Sequence, residues 1–300
     1  MSSTPVTLDS AGTAGLMPDA SATPSARVHD EAPRVVIEPR WGWQALNVRE
    51  MWQYRELLLF LVDVKVQYKQ TVLGPAWAVI KPLINMVIFS IVFGQLAGIP
   101  SQGEPYPLFV YAGLLPWGLF AASITAASAS LVSHAHLLTK VYFPRAFLPA
   151  ASAGVPLINF FIGLMIYAGL MIGYRTMPGT SIILLPVLVL LTVVASLGLG
   201  YLLAGLTVIY RDLRFVVPSM VQAWMFLSPV IYPVTIIPDR FRWLMMLNPM
   251  SGVINGYRSV LLNQPIDWVG LGVAAGVSIV LFVPGILVFR RAERRFADLA

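Results

Sequence analysis

Apolar positions along this chain gather into long unbroken runs rather than alternating with polar ones. Six such runs stand out, at 74–99, 108–132, 146–174, 182–209, 216–237 and 269–289. A helix needs about 20 apolar residues to cross ~30 Å of hydrocarbon, and each run supplies that length. Backbone polar groups cannot be left unpaired in lipid, so helices are the predicted spanning form. Pro75 is well placed as the first helical residue of the first run. Pro229 and Pro233 lie in the fifth, where they remove backbone donors and are predicted to kink or break it. Between the fifth and sixth runs a shorter apolar piece, Trp243–Leu247, precedes Asn248-Pro249. It is too short to span and predicts a re-entrant or interfacial segment. Ala122, Ala126 and Ser130 in the second run, and Ser196, Gly200 and Ala204 in the fourth, recur at spacing four and predict close helix packing.

The pattern before the first run is different. Residues 1–40 are rich in Ser, Thr, Ala and Pro without periodicity, which predicts a disordered tail on the cytoplasmic side. They have neither a basic start nor an apolar centre, so no signal peptide is expected. In 41–71, Met51, Leu58, Leu61 and Val62 fall at roughly helical spacing among Arg49, Glu50, Arg55 and Glu56, as in an amphipathic helix lying in the membrane interface. Residues 63–69 alternate with period two, which alone would favour a strand. A lone strand at a membrane surface has no partner, so the helix is the expectation. The predicted fold is an all-α integral membrane protein. It comprises the 1–40 tail, the 41–71 interfacial helix and a 72–300 domain of six transmembrane helices, with the re-entrant segment between helices five and six and a short cytoplasmic C-terminal tail.

Composition strengthens this picture. The chain is 57% hydrophobic and 11% charged, where soluble domains carry about 25% charged residues, and its mean hydropathy is +0.75. The net charge of +6 does not indicate nucleic acid, because the basic residues flank the apolar runs and form no soluble patch. Their placement sets orientation instead. One side holds Arg49, Arg55, Lys65, Lys69, Lys140, Arg145, Arg211, Arg214 and the C-terminal Arg290, Arg291, Arg294 and Arg295. The other holds only Arg175, Arg240, Arg242 and Arg258. Both termini are therefore expected in the cytoplasm. There is no cysteine, which excludes disulfides, thiolate metal sites and cysteine nucleophiles.

The candidate chemistry is sparse. All 14 carboxylates fall outside the six runs. Ion-coupled transporters generally need an intramembrane acid, and a membrane glycosyltransferase needs acids for a metal or a base. No G-x-x-x-x-G-K-[ST] loop is present, so the chain does not bind ATP in that way. His134 and His136 form an H-x-H pair without further ligands nearby, which reads as polar loop residues in preference to a metal site. Lys81 stands inside the first run, ~10 Å beyond Gly74 at 1.5 Å per residue. Such a charge costs roughly 2.5–3.5 kcal/mol at a helix centre. Its stem can snorkel to the cytoplasmic surface, or it can meet an anionic headgroup such as a lipid diphosphate. Arg55 and Lys69 join it as candidates for admitting substrate. Phe89, Phe93, Tyr111, Trp117, Trp224 and Tyr232 are candidate conduit aromatics, since ring faces pack against the C–H faces of pyranoses. The alternative for each is a lipid or interface position.

Several segments together resemble the permease subunit of type-2 ABC exporters for polysaccharides, the O-antigen, capsule and teichoic-acid group. They are D-V-K-V-Q-Y-K-Q-T-V-L-G-P-A-W-A-V-I-K-P-L (63–83), Y-A-G-L-L-P-W (111–117), L-L-T-K-V-Y-F-P-R (137–145), Y-R-D-L-R-F-V-V-P (210–218), L-S-P-V-I-Y-P (227–233) and L-N-P-M (247–250). The resemblance covers about residues 41–295. It implies a homodimer in the bacterial cytoplasmic membrane working with two copies of a separate P-loop ATPase, which would bind the ATP and Mg. No cofactor is expected in this chain. It further implies that the loop after the second span, with His134, His136, Lys140, Tyr142 and Arg145, docks on that ATPase, and that the segment after the fifth span shapes the outer exit. Relatives often carry Arg before the residue corresponding to Asp63, where this chain has Leu61-Val62, and commonly Gln where Lys81 stands.

The expected function is thus the permease subunit of an ATP-driven exporter of lipid-linked polysaccharide, in contact with membrane lipids and without nucleic acid. An ABC permease for a small lipid, drug or peptide is the alternative within the class. A membrane enzyme acting on lipid-linked sugars is the alternative outside it, and the lack of clustered or intramembrane acids counts against it.

Overall fold

The computed structural model describes residues 76–134 and 145–296. Every regular element among them is helical. Helix α1 spans Trp77–Phe89 and continues through a wider π-type stretch, Ser90–Leu96. Helix α2 is Tyr106–Ser133, with Pro107 in its first turn. The next span is α3, Phe147–Ser152, running into α4, Gly154–Gly173. The interruption falls at Ala153, where Pro156 has no N–H to offer the carbonyl of Ser152. A 3₁₀ turn at Thr180–Leu184 leads into α5, Leu185–Ile209. Helix α6 is Leu213–Leu227, α7 is Asp239–Met246, α8 is Pro249–Leu261 and α9 is Trp268–Phe296.

Among the described residues, five helices are long and apolar enough to cross a bilayer: Trp77–Leu96, Tyr106–Ser133, Phe147–Gly173, Thr180–Ile209 and Trp268–Glu293. They match the first four predicted runs and the sixth. The predicted interfacial helix at 41–71 and the start of the first run at Gly74-Pro75 lie outside the described residues.

The fifth run differs. It is helical only to Leu227, and α6 itself begins three residues earlier than predicted, at Leu213. Fifteen residues reach about 22 Å, short of the ~30 Å of hydrocarbon. The cause is local. Pro229 lacks an N–H and drives Ser228 out of the helical region, to φ −103° and ψ 146°. The chain then runs on without helical hydrogen bonding to Pro233. The piece predicted as re-entrant also differs in extent. It is two helices, the exposed α7 and the buried α8. The Asn248 side-chain oxygen caps α8 by accepting from the Met250 N–H at 3.1 Å, and Pro249 opens its first turn.

Helix α2 is the centre of the bundle. Of its most apolar stretch 72% is buried inside the chain, against 11% for α1. Leu108, Phe109, Val110, Tyr111, Ala112, Phe120 and Ile124 on α2 are all fully enclosed. Helices α4, α5, α6 and α8 pack around it, and α9 packs along α5. The small-residue rows act at these contacts. A Cβ added at Gly200 would lie 2.7 Å from the Cβ of Ala127 on α2, so that approach depends on the missing methyl. Ser196 and Ala204 are buried with it, whereas Ala122 of the other row is exposed. The large apolar side chains left on the outside, such as Met165, Ile172, Leu190 and Val280, are in keeping with helices surrounded by lipid.

Candidate functional site

The break after α6 creates a physical demand. Four consecutive carbonyls, from Pro229 to Tyr232, lose the donors that a continuing helix would supply. Non-helical backbone at membrane depth is tolerated only where protein or a water-filled cavity satisfies it, and an unpaired buried carbonyl costs several kcal/mol at the upper end.

Arg258 of α8 meets most of that demand. Its Nη1 donates to the carbonyls of Pro229 at 2.8 Å and Tyr232 at 3.2 Å, and its Nη2 donates to Val230 at 2.6 Å. The remaining carbonyl, of Ile231, accepts from the Tyr106 hydroxyl at 2.8 Å. The guanidinium lies 3.7 Å from the centre of the Phe109 ring, and its Nε donates a long bond to the Phe109 carbonyl at 3.4 Å. Arg258 is 1% exposed. Among the described residues no carboxylate pairs with it; the charge is met by carbonyl oxygens and a ring face. A planar fork of five donors suits this task, where a lysine ammonium would not. Asn248 secures the near end of the segment, its amide donating to Ser228 Oγ at 2.8 Å. Gly113 of α2 lets the segment lie close, because a Cβ there would fall 2.7 Å from the Val230 oxygen.

The result is a chain that runs beside α2 as helix and then as non-helical turns. Trp224 near the end of α6 meets Trp117 and Phe120 of α2 edge to face, at 6.4 and 5.5 Å between ring centres. Ile231 reaches Tyr106, at the N-terminal end of α2. One face of α6 is buried through Val217, Val221 and Met225; the other leaves Phe215, Met220, Phe226 and Leu227 exposed.

The candidate residues read from the sequence are distributed unevenly over this frame. Trp224 on α6 and Tyr232 in the segment are half-buried and packed against the core, and the Tyr232 hydroxyl donates to the Phe226 carbonyl at 3.2 Å. Phe89 and Phe93 are half-buried on α1, edge to face at 5.8 Å. Tyr111 and Trp117 lie within the chain's own core, Tyr111 stacked on Tyr167 at 5.9 Å and Trp117 against Phe120 at 5.5 Å. Lys81 is exposed, one helical turn above Trp77, with its Nζ 6.0 Å from the Trp77 ring. The side chain therefore leans toward the N-terminal end of α1, the direction helical side chains favour.

At the opposite end of α2, His134 closes the helix. Its backbone N–H donates to the Ser130 carbonyl at 3.1 Å, and Nδ1 stands 3.0 Å from the same oxygen. Arg145 and Ala146 are half-buried where the chain re-enters the bundle. There the Ala146 carbonyl accepts from the Tyr201 hydroxyl of α5 at 2.9 Å, and the Arg145 N–H donates to the Glu293 carboxylate of α9. Arg55, Lys69, His136, Lys140 and Tyr142 lie outside the described residues.

Sequence reading missed Arg258 as a buried group and placed it among the loop cations. A signal was present. Arg258 follows the Asn-Pro helix start as the one charged residue of α8, on the face carrying Ile254 and Leu261.

Residues 57–262 match the family model described as ABC-2 type transporter. The chain belongs to the ABC-2 type transporter family. With its several apolar helices it is a multi-pass membrane protein. It is 34% identical over 257 residues to the O-antigen export system permease protein RfbA of Myxococcus xanthus, covering 84% of this chain and 98% of that relative. It is 26% identical over 238 residues to the protein of that name from Klebsiella pneumoniae, covering 79% and 91%. The polysialic acid transport protein KpsM of Escherichia coli is 22% identical over 241 residues, covering 78% and 92%. The ABC-2 match takes in α1 through α8, so the α6 break and the Arg258 contacts lie inside the family's shared region.

Proposed function

We propose that this chain is the permease subunit of an ATP-driven exporter that moves lipid-linked polysaccharide, of the O-antigen or capsule type, across the bacterial cytoplasmic membrane. The observation that carries the reading is the 34% identity to an O-antigen export permease over 98% of that relative's length. Two copies of the chain would form the conduit, with two copies of a separate P-loop ATPase binding ATP and Mg on the cytoplasmic side. Both termini would lie on that side, in keeping with the bias of Lys and Arg.

The loop from His134 to Arg145 would dock on the ATPase through Lys140, Tyr142 and its histidines. The tie of Arg145 and Ala146 to α9 and α5 supports this, because a rigid attachment can pass a displacement of the loop into the bundle. The half-exposed Trp224 and Tyr232, with Phe89 and Phe93, are the aromatics that would face the sugar. Lys81, with Arg55 and Lys69, would receive the anionic headgroup at the cytoplasmic leaflet.

The test is reconstitution. Vesicles holding this chain, its genomically neighbouring ATPase and a lipid-linked polysaccharide are expected to deliver the glycan to the far leaflet only with ATP. Delivery by the chain without any ATPase, or no delivery by the intact complex, overturns the reading.

A further inference from the structure

The segment Ser228–Pro233 sits at the end of the bundle away from the 134–145 loop, and it is held almost wholly by side chains from elsewhere. Arg258 bonds three of its carbonyls, Tyr106 a fourth, and Asn248 its first hydroxyl. Only one hydrogen bond closes within it, from the Val230 N–H to the Ser228 carbonyl at 2.7 Å. Val230 and Ile231 are nonetheless buried, at 0% and 2% exposure. A helix holds itself by its own ladder; this segment depends on side chains, and the Arg258 guanidinium takes three of its four central carbonyls.

The charge is informative. A static wall could satisfy these carbonyls with neutral donors or by continuing the helix. Burying a cation is costly, and in a membrane an ionisable residue facing the bundle interior marks function by default. Carbonyl partners also differ from a carboxylate partner, because the segment can leave the guanidinium without stranding a buried anion.

We propose that Ser228–Pro233 is a movable seal at this end of the conduit and that Arg258 is the positioning residue that holds it closed. When ATP turnover moves the two copies apart, the segment comes away from Arg258 and Tyr106 as a unit, turning Val230 and Ile231 toward water. The inference deepens the permease reading and rests on it for the existence of a conduit.

The chain has no cysteine, so one introduced thiol is its single labelling site, and the band of this chain is read apart from that of the ATPase. In the full complex with its ATPase, in vesicles, Val230→Cys is expected to react slowly with a membrane-impermeant maleimide when nucleotide is absent. During ATP turnover the rate is expected to rise about tenfold. Adding Arg258→Lys, which keeps the charge but loses the fork, is expected to give the fast rate without nucleotide, by about tenfold as befits the loss of one or two charged hydrogen bonds. Tyr106→Phe, which removes only the Ile231 bond, is expected to give an intermediate rate of about threefold. It carries the test if Arg258→Lys fails to assemble. A thiol that stays slow under ATP turnover, or a rate that neither variant changes, overturns the proposal. A purely structural arginine would lower assembly yield and leave the labelling of assembled complex unchanged. No glycan is present in the assay. A complex that fails to export polysaccharide, yet shows fast labelling in Arg258→Lys, would overturn the substrate reading and leave the seal standing.

Discussion

The Tyr201 hydroxyl donates to the Ala146 carbonyl at 2.9 Å, joining the middle of α5 to the point where the 134–145 loop re-enters the bundle. The Tyr201 ring is also packed edge to face on Phe289 and Phe282 of α9, at 5.4 and 6.3 Å. Tyr201→Phe keeps that packing and deletes one hydrogen bond, a change of about 0.5–1.5 kcal/mol. The variant is expected to assemble normally in detergent and to export less glycan per ATP hydrolysed. Measuring both rates on one preparation checks it, and an unchanged ratio removes this bond from the coupling path.

Gly198 on α5 faces the backbone of α9. A Cβ there would lie 2.8 Å from both the nitrogen and the Cα of Phe282, atoms that cannot turn aside. Gly198→Ala is expected to destabilise the chain by about 1–3 kcal/mol, the usual range for overpacking. Gly118→Ala meets nothing within 4 Å and is expected to be neutral or slightly stabilising. Thermal unfolding of the two variants in detergent should separate them, with only Gly198→Ala lowering the midpoint.

Asn248 has two tasks that substitution can separate. Its oxygen caps α8 through the Met250 N–H, and its amide holds Ser228. Asn248→Asp keeps the cap and loses the amide donor, whereas Asn248→Ala loses both. The alanine variant is expected to cost about 1 kcal/mol more than the aspartate variant, the ordinary worth of an N-cap. Chemical unfolding monitored by tryptophan fluorescence provides the comparison.

Lys81 is exposed and leans over Trp77. Lys81→Gln removes a charge near the membrane without disturbing a buried contact, so assembly is expected to hold. If Lys81 receives a diphosphate headgroup, transport of the linked glycan should fall by about tenfold, the worth of one charge-assisted hydrogen bond. Equal transport by the variant would assign Lys81 to snorkelling alone.

Much of this architecture was legible in the order of residues. Continuous apolar runs demand helices in lipid whatever their neighbours, so α1, α2, α4, α5 and α9 follow from hydropathy. The stop at Ser228 follows from Pro229, since a missing N–H is a local fact. What the sequence could not decide is what replaces the lost hydrogen bonds. The answer lies 26 to 29 residues downstream in Arg258, and across the bundle in Tyr106, 125 residues from Ile231. Counted along the chain, Arg258 is one more cation in a loop region; packed, it is enclosed by Phe109 and the carbonyls of a broken helix. The aromatics divide in the same way. Composition marks Tyr111, Trp117, Trp224 and Tyr232 alike, and only the packing of α4 and α6 against α2 encloses the first two and leaves the others at a surface. Hydropathy acts on each segment alone and is written in the sequence. Burial of a charge or a ring depends on which faces meet, and that is set only when the helices pack.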